Sequence, residues 1–312
     1  MSSRNPAFGT LVGALVCLLA AAGDAAAQNR PETMTLPPEV SGYIRTGGIL
    51  FENFFQLPDD LPRPDIWAGV LEVRVEEHMG FDGGFRAYAR GDLFQFQHRG
   101  LSPGVVGGLR RVLGTHRFDA SLSAQWNRPR FDSGDSLEQA NILVANGSYS
   151  LAVSSLEVAA LIEYLGESLK LRRGQDSVSR DAGFAIRYGA FARRVSAEVG
   201  WMQGARESED LAQDYGQETR WVVMRTSAIP RVYLSARYRT RVRDFTIDNA
   251  TSRNFGRQDR RRQLTGYVDI ALWGNLVWNL SGGYEDADST RRTSAFRSKQ
   301  FATTVSVMLS GT

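Results

Sequence analysis

Apolar residues recur at every second position over much of this chain, most regularly in Gln263–Leu309. There Leu264, Gly266, Val268, Ile270 and Leu272 alternate with Thr265, Tyr267, Asp269, Ala271 and Trp273. After Gly274-Asn275 the pattern resumes as Leu276, Trp278, Leu280, Gly282 and Tyr284, and later as Phe301, Thr303, Val305, Val307 and Leu309. A period of two sends successive side chains to opposite faces of a sheet, so each run is a strand with one apolar and one more polar face. Gly-Asn between two such runs signals a tight hairpin. An all-β fold follows.

The same unit repeats from residue 42 onward, giving about fourteen segments of about ten residues, the length of a tilted membrane strand. Ile66–Glu76 sets Trp67, Gly69, Leu71, Val73 and Val75 against Ala68, Glu72, Arg74 and Glu76, and in Phe85–Phe96 Arg86, Tyr88, Arg90 and Asp92 share a face. Short turns fall near residues 80, 114, 154, 193, 229 and 274. Between them lie longer polar or proline-bearing loops: Gln56–Asp65, Gln97–Gly104, Asn127–Glu138, Gly166–Arg180, Gly204–Glu218, Asp244–Arg262 and Asp286–Arg297. None of the ten prolines is expected inside a strand, where it would break the ladder.

Residues 1–27 read as a signal peptide: Arg4, then the short apolar stretch Leu11–Ala22, then Ala25-Ala26-Ala27 as cleavage site. The single cysteine, Cys17, lies within it, so the mature chain has no thiol for disulfides, metal sites or nucleophilic catalysis. Residues 28–41, with Pro31, Pro37 and Pro38, form a periplasmic tether, and 42–312 the barrel domain. No later apolar run reaches the roughly 18 residues a membrane helix needs.

Charges sit deep in the polar faces, at Glu72, Arg74, Arg90, Glu163, Arg187, Glu198, Arg237, Arg239 and Asp269. Aromatics near strand ends (Phe118, Trp126, Trp201, Trp221, Tyr238, Tyr284) suit interfacial girdles. These features favour a single transmembrane antiparallel up-and-down β-barrel, with short periplasmic turns, long extracellular loops and no exposed edge. Its partners are outer-membrane lipid and lipopolysaccharide. The mature chain resembles Gram-negative outer-membrane barrels of the general porin type. Its end, Tyr284–Ser289 followed by the Phe301–Leu309 strand, is similar to barrel porins associated with exopolysaccharide systems. The resemblance implies insertion by the barrel assembly machinery. Leu309-Ser310-Gly311-Thr312 departs from the aromatic end such proteins usually carry.

Arg237, Arg239, Arg241 and Arg243 occupy alternate positions of one strand, so they form a ladder on one face. If luminal, it lines a pore and draws anions; alternatively it pairs with carboxylates such as Asp269 and Glu198 and braces the wall. The remaining channel-lining candidates are Arg86, Arg90, Arg187, Glu72, Asp92, Glu163 and Tyr267. Ser133-Gly134-Asp135-Ser136-Leu137 resembles the nucleophile block of GDSL esterases, but no histidine follows it to serve as base. His78, His98 and His116 lack metal-ligand spacing. The expectation is therefore a non-enzymatic transport protein without metal or cofactor. The basic run Arg257–Arg262 is read as a lipopolysaccharide-facing or solvated loop, not a nucleic-acid site. The alternative function is a sealed accessory barrel with an export-complex partner. Its lumen would be filled by Tyr267, Trp273, Phe94 and Phe96.

Overall fold

The structure, a computed structural model, describes residues 40–310 apart from 54–64, 80–84, 97–99, 133–136, 171–175, 191–193, 248, 253 and 292–294. The proposed signal peptide, most of the tether and Ser133–Ser136 lie outside the described residues. Fourteen strands follow in order: β1 Val40–Glu52, β2 Ile66–Met79, β3 Phe85–Phe96, β4 Gly100–Leu113, β5 His116–Asp132, β6 Leu137–Val153, β7 Leu156–Leu169, β8 Ser177–Ala190, β9 Val195–Ser208, β10 Tyr215–Thr226, β11 Val232–Phe245, β12 Gln258–Ala271, β13 Leu276–Ser289 and β14 Phe296–Ser310. Each pairs antiparallel with its sequence neighbours, and β14 returns to β1 from Ser41↔Ser310 to Glu52↔Lys299. The sheet is a closed barrel, so no ladder edge remains.

The wall is strongly tilted. Paired residues traced from mid-β1 run Arg45, Glu72, Asp92, Gly104, Gln125, Ile142, Glu167, Ser177 and Ser208, reaching the end of β9. Such stagger is what closure at a strand tilt of about 35–45° requires.

The two faces separate as the alternation predicts. Trp67, Leu109, Ile162, Phe184, Val199 and Phe301 point outward and are exposed as an apolar belt. Near the short turns the belt ends in His116, whose Nδ1 lies 2.7 Å from the Tyr149 hydroxyl, with Phe118 packed on Tyr149. At the opposite, loop-side end it gives way to a collar of outward ion pairs. These are Arg180–Glu207 at 3.4 Å, Arg220–Glu218 at 2.6 Å, Arg262–Asp288 at 2.9 Å and Lys299–Glu52 at 2.9 Å.

Three expectations are corrected. The strands run 12 to 17 residues, because the ladder continues past the apolar belt into segments expected as loops. The connections at 97–99 and 133–136 are correspondingly short. Pro103 and Pro129 therefore lie inside β4 and β5. Both are tolerated for a local reason: the β4–β5 ladder begins only at Gly104, and Pro129 sits between two register shifts. Trp221 is not an interfacial aromatic; β10 turns it inward, where it is 7% exposed.

Glycine makes room for that indole. Gly200 is its cross-strand partner, and a Cβ there would come within 2.0 Å of the ring. Gly200→Val should push the indole off Glu198 and cost about 1–3 kcal/mol as overpacking. Its readout is a lower urea midpoint for the refolded barrel, with altered Trp fluorescence.

Candidate functional site

Because paired residues share a face, the register fixes what lines the interior. Arg237, Arg239, Arg241 and Arg243 pair with Val223, Trp221, Thr219 and Gln217 on one side, and with Thr265, Gln263, Arg261 and Asp259 on the other. Trp221, Val223, Thr219, Gln217 and Asp259 are buried while Val222 is exposed, so this face is luminal. Arg86, Arg90, Asp92 and Glu72 lie on the inner face of β2 and β3. Glu163 and Arg187 do so on β7 and β8, Glu198 on β9, and Tyr267 and Asp269 on β12. All the candidate lining residues thus point into the barrel. They belong to different walls and do not meet at one point.

On the turn-side half, the lining is braced by ion pairs. Arg187 bridges Glu157 at 3.1 Å and Glu198 at 2.8 Å, and Arg225 reaches Glu198 at 3.1 Å. Trp221 Nε1 donates to the same carboxylate at 2.9 Å. Arg110 meets Asp119 at 2.7 Å, and Arg90 lies 3.1 Å from Asp92. Tyr43 donates its hydroxyl to Glu72, and Asn279 donates to Asp269 at 2.7 Å. Charge in this half is largely matched locally.

The ladder is different. Glu198 and Asp269, the carboxylates expected to brace it, are engaged by Arg187, Arg225, Trp221 and Asn279 instead. Arg237 stacks on Trp221 with 5.9 Å to the ring centre, and Arg239 donates to Gln263 Oε1 at 2.5 Å. Arg241 donates to Thr219 Oγ1 at 3.3 Å, and Arg243 lies over Tyr215 at 4.7 Å. Among the described residues none of these four guanidiniums has a carboxylate within ion-pair distance. Neutral acceptors and ring faces hold them in place without cancelling their charge.

Several lining residues escaped the sequence pattern. Arg206, Tyr215 and Arg261 fell in segments expected as loops, yet they continue the inner wall of β9, β10 and β12. Arg45 lies on β1, whose Gly42, Gly47 and Gly48 blur the alternation. Phe94 and Phe96 are luminal and pack with Phe51, Ile66 and Ala68 into an apolar cluster at the loop-side end. Trp273, by contrast, stands on the β12–β13 turn, 75% exposed. Of the histidines, His116 faces outward; the side chains of His78 and His98 lie outside the described residues.

No family model and no curated protein matches this chain. Solved structures do align with it. Outer-membrane expressed OmpT of Vibrio cholerae matches at 9% identity and TM-score 0.49, covering 86% of this chain and 97% of that one. An anion-selective porin from Comamonas acidovorans matches at 8% identity and TM-score 0.47, covering 86% and 99%. A BenF-like porin from Pseudomonas fluorescens Pf-5 matches at 10% identity and TM-score 0.44, covering 88% and 100%. These likenesses reach no further than the closed barrel already described.

Proposed function

We propose that this chain is an outer-membrane channel that passes small solutes by diffusion and prefers anions. One observation carries the reading: four luminal arginines in a row, Arg237, Arg239, Arg241 and Arg243, have no carboxylate partner among the described residues. Fixed positive charge along a low-dielectric wall raises the local concentration of anions and repels cations. The apolar belt supports membrane insertion, since a closed barrel satisfies every ladder hydrogen bond in lipid. In this reading the short turns, the start of β1 and the end of β14 face the periplasm, and the collar faces the outer leaflet and its lipopolysaccharide.

The test is single-channel recording of the refolded protein in a planar bilayer, with reversal potential under a KCl gradient. Stable steps with chloride preferred over potassium are expected; stable steps preferring potassium would overturn the anion reading. The second reading, a sealed accessory barrel within an export complex, is favoured by the tight luminal packing of Ala185, Trp221 and Val223. Silence from a correctly folded, heat-modifiable barrel would select it.

A further inference from the structure

At the loop-side end of the lumen, the ladder meets other arginines. Arg206 of β9 and Arg243 of β11 both lie over the ring of Tyr215, at 5.7 and 4.7 Å from its centre. Arg241 is the direct cross-strand partner of Arg261. Like charges placed opposite each other on a ladder are destabilising, so this arrangement works against the barrel's own stability.

The carboxylates nearby do not balance it. Arg206 lies 3.6 Å from Glu167, and Arg261 lies 3.6 Å from Glu285. Asp259 is held by Arg257 at 2.6 Å. Among the described residues Arg241 and Arg243 are left without a carboxylate, and the buried Nε atoms of Arg206 and Arg243 have no acceptor. Buried guanidinium N–H groups without an acceptor are costly, and a ligand oxygen would satisfy them.

Position gives these groups access to solvent-borne ligands. Arg206 and Arg261 point inward immediately beside Glu207 and Arg262, which belong to the outer collar. The inner arginines therefore stand level with the collar, above the apolar belt.

We infer that Arg206, Arg241, Arg243 and Arg261, grouped around Tyr215, form a binding site for a divalent oxyanion at the loop-side mouth. Two unmatched guanidinium charges call for two negative charges, and their N–H groups call for oxygen acceptors. Inorganic phosphate, a phosphate ester and a dicarboxylate share that chemistry. A monoanion leaves one charge unmatched. The inference deepens the anion-channel reading and rests on the same wall.

Titration calorimetry on the detergent-refolded full chain tests it without a bilayer. Inorganic phosphate at pH 8, sucrose phosphate and succinate are the dianion probes, with acetate and chloride as monoanion comparisons. Saturable binding of at least one dianion is expected, tighter than acetate or chloride. Arg243→Gln should weaken it about tenfold or more, the loss of a charge-assisted hydrogen bond. Glu167→Gln frees Arg206 and should tighten it, a direction that misfolding does not produce. Arg110→Gln removes a luminal charge at the other end and should leave affinity within about twofold, because that pair is distant and screened. Which dianion binds most tightly distinguishes the three sources. Absence of saturation with every dianion overturns the site, as does equal weakening by Arg110→Gln and Arg243→Gln. Chloride-preferring conductance without dianion binding sinks the site alone; dianion binding by a silent barrel sinks the channel reading alone.

Discussion

Exchanging Arg237 and Arg239 for glutamate should reverse the sign of the reversal potential under a salt gradient, from chloride-preferring to potassium-preferring. Each exchange changes the charge of a low-dielectric wall by two units, at a level where the two arginines have no carboxylate partner among the described residues. The two residues lie mid-strand, opposite Val223 and Trp221. Glu285 stands at the same level, paired with Gln263 beside Arg239, and Glu163 lines the lumen on β7. Added glutamates would join those carboxylates and turn this level of the lumen acidic. Bilayer recordings of the double variant, beside Arg237→Gln/Arg239→Gln, give the check. The neutral pair should lose most of the preference without reversing it. Unchanged chloride preference in the glutamate variant would show that the ladder does not set selectivity. Lower salt should enlarge the effect, since screening is weaker there.

Removing Glu198 should have the largest effect on stability of any single luminal change. Its carboxylate accepts from Arg187, Arg225 and Trp221, and the residue is 8% exposed. Glu198→Ala removes the acceptor of Arg225 and of the indole N–H, and leaves Arg187 with Glu157 alone. Breaking a buried pair costs about 3–5 kcal/mol. Arg187 and Arg225 are about a third exposed, so water compensates part of the loss and about 3 kcal/mol is expected. The measurement is the urea unfolding midpoint in lipid vesicles. Glu198→Gln should recover part of it through the indole hydrogen bond. An unfolding free energy within about 0.5 kcal/mol of the parent would mean that the hub contributes only local order.

How much of this was legible depends on where along each strand one looks. Across the apolar belt, outward-facing Leu, Val and Phe contrast with Arg, Glu and Ser on the inner face, so the alternation predicts faces, strand order and the ladder. Above the belt the outward residues are themselves charged. In Gln258–Arg262 both faces are polar, with Asp259 and Arg261 inside and Arg260 and Arg262 outside. Hydropathy then carries no period, and the wall reads as loop although its hydrogen bonding continues. Arg206, Tyr215 and Arg261 were missed for that reason. Trp221 was misplaced for another: a tryptophan suits either face, and only its pairing with Gly200 settles which. The partners of Glu198 on β8 and β10 follow from register, which single strands do not encode.

In the membrane reading proposed above, the collar of ion pairs limits how the barrel can sit in a bilayer. Arg180–Glu207, Arg220–Glu218, Arg262–Asp288 and Lys299–Glu52 occur on several walls at the loop-side end, directly beyond the exposed apolar side chains. Drawing that collar into hydrocarbon would desolvate charges, and the aromatics at the turn-side end, Phe118 and Tyr149, suit the opposite interface. In that placement the collar holds the arginine-lined mouth above the hydrocarbon, where solvent-borne anions reach it.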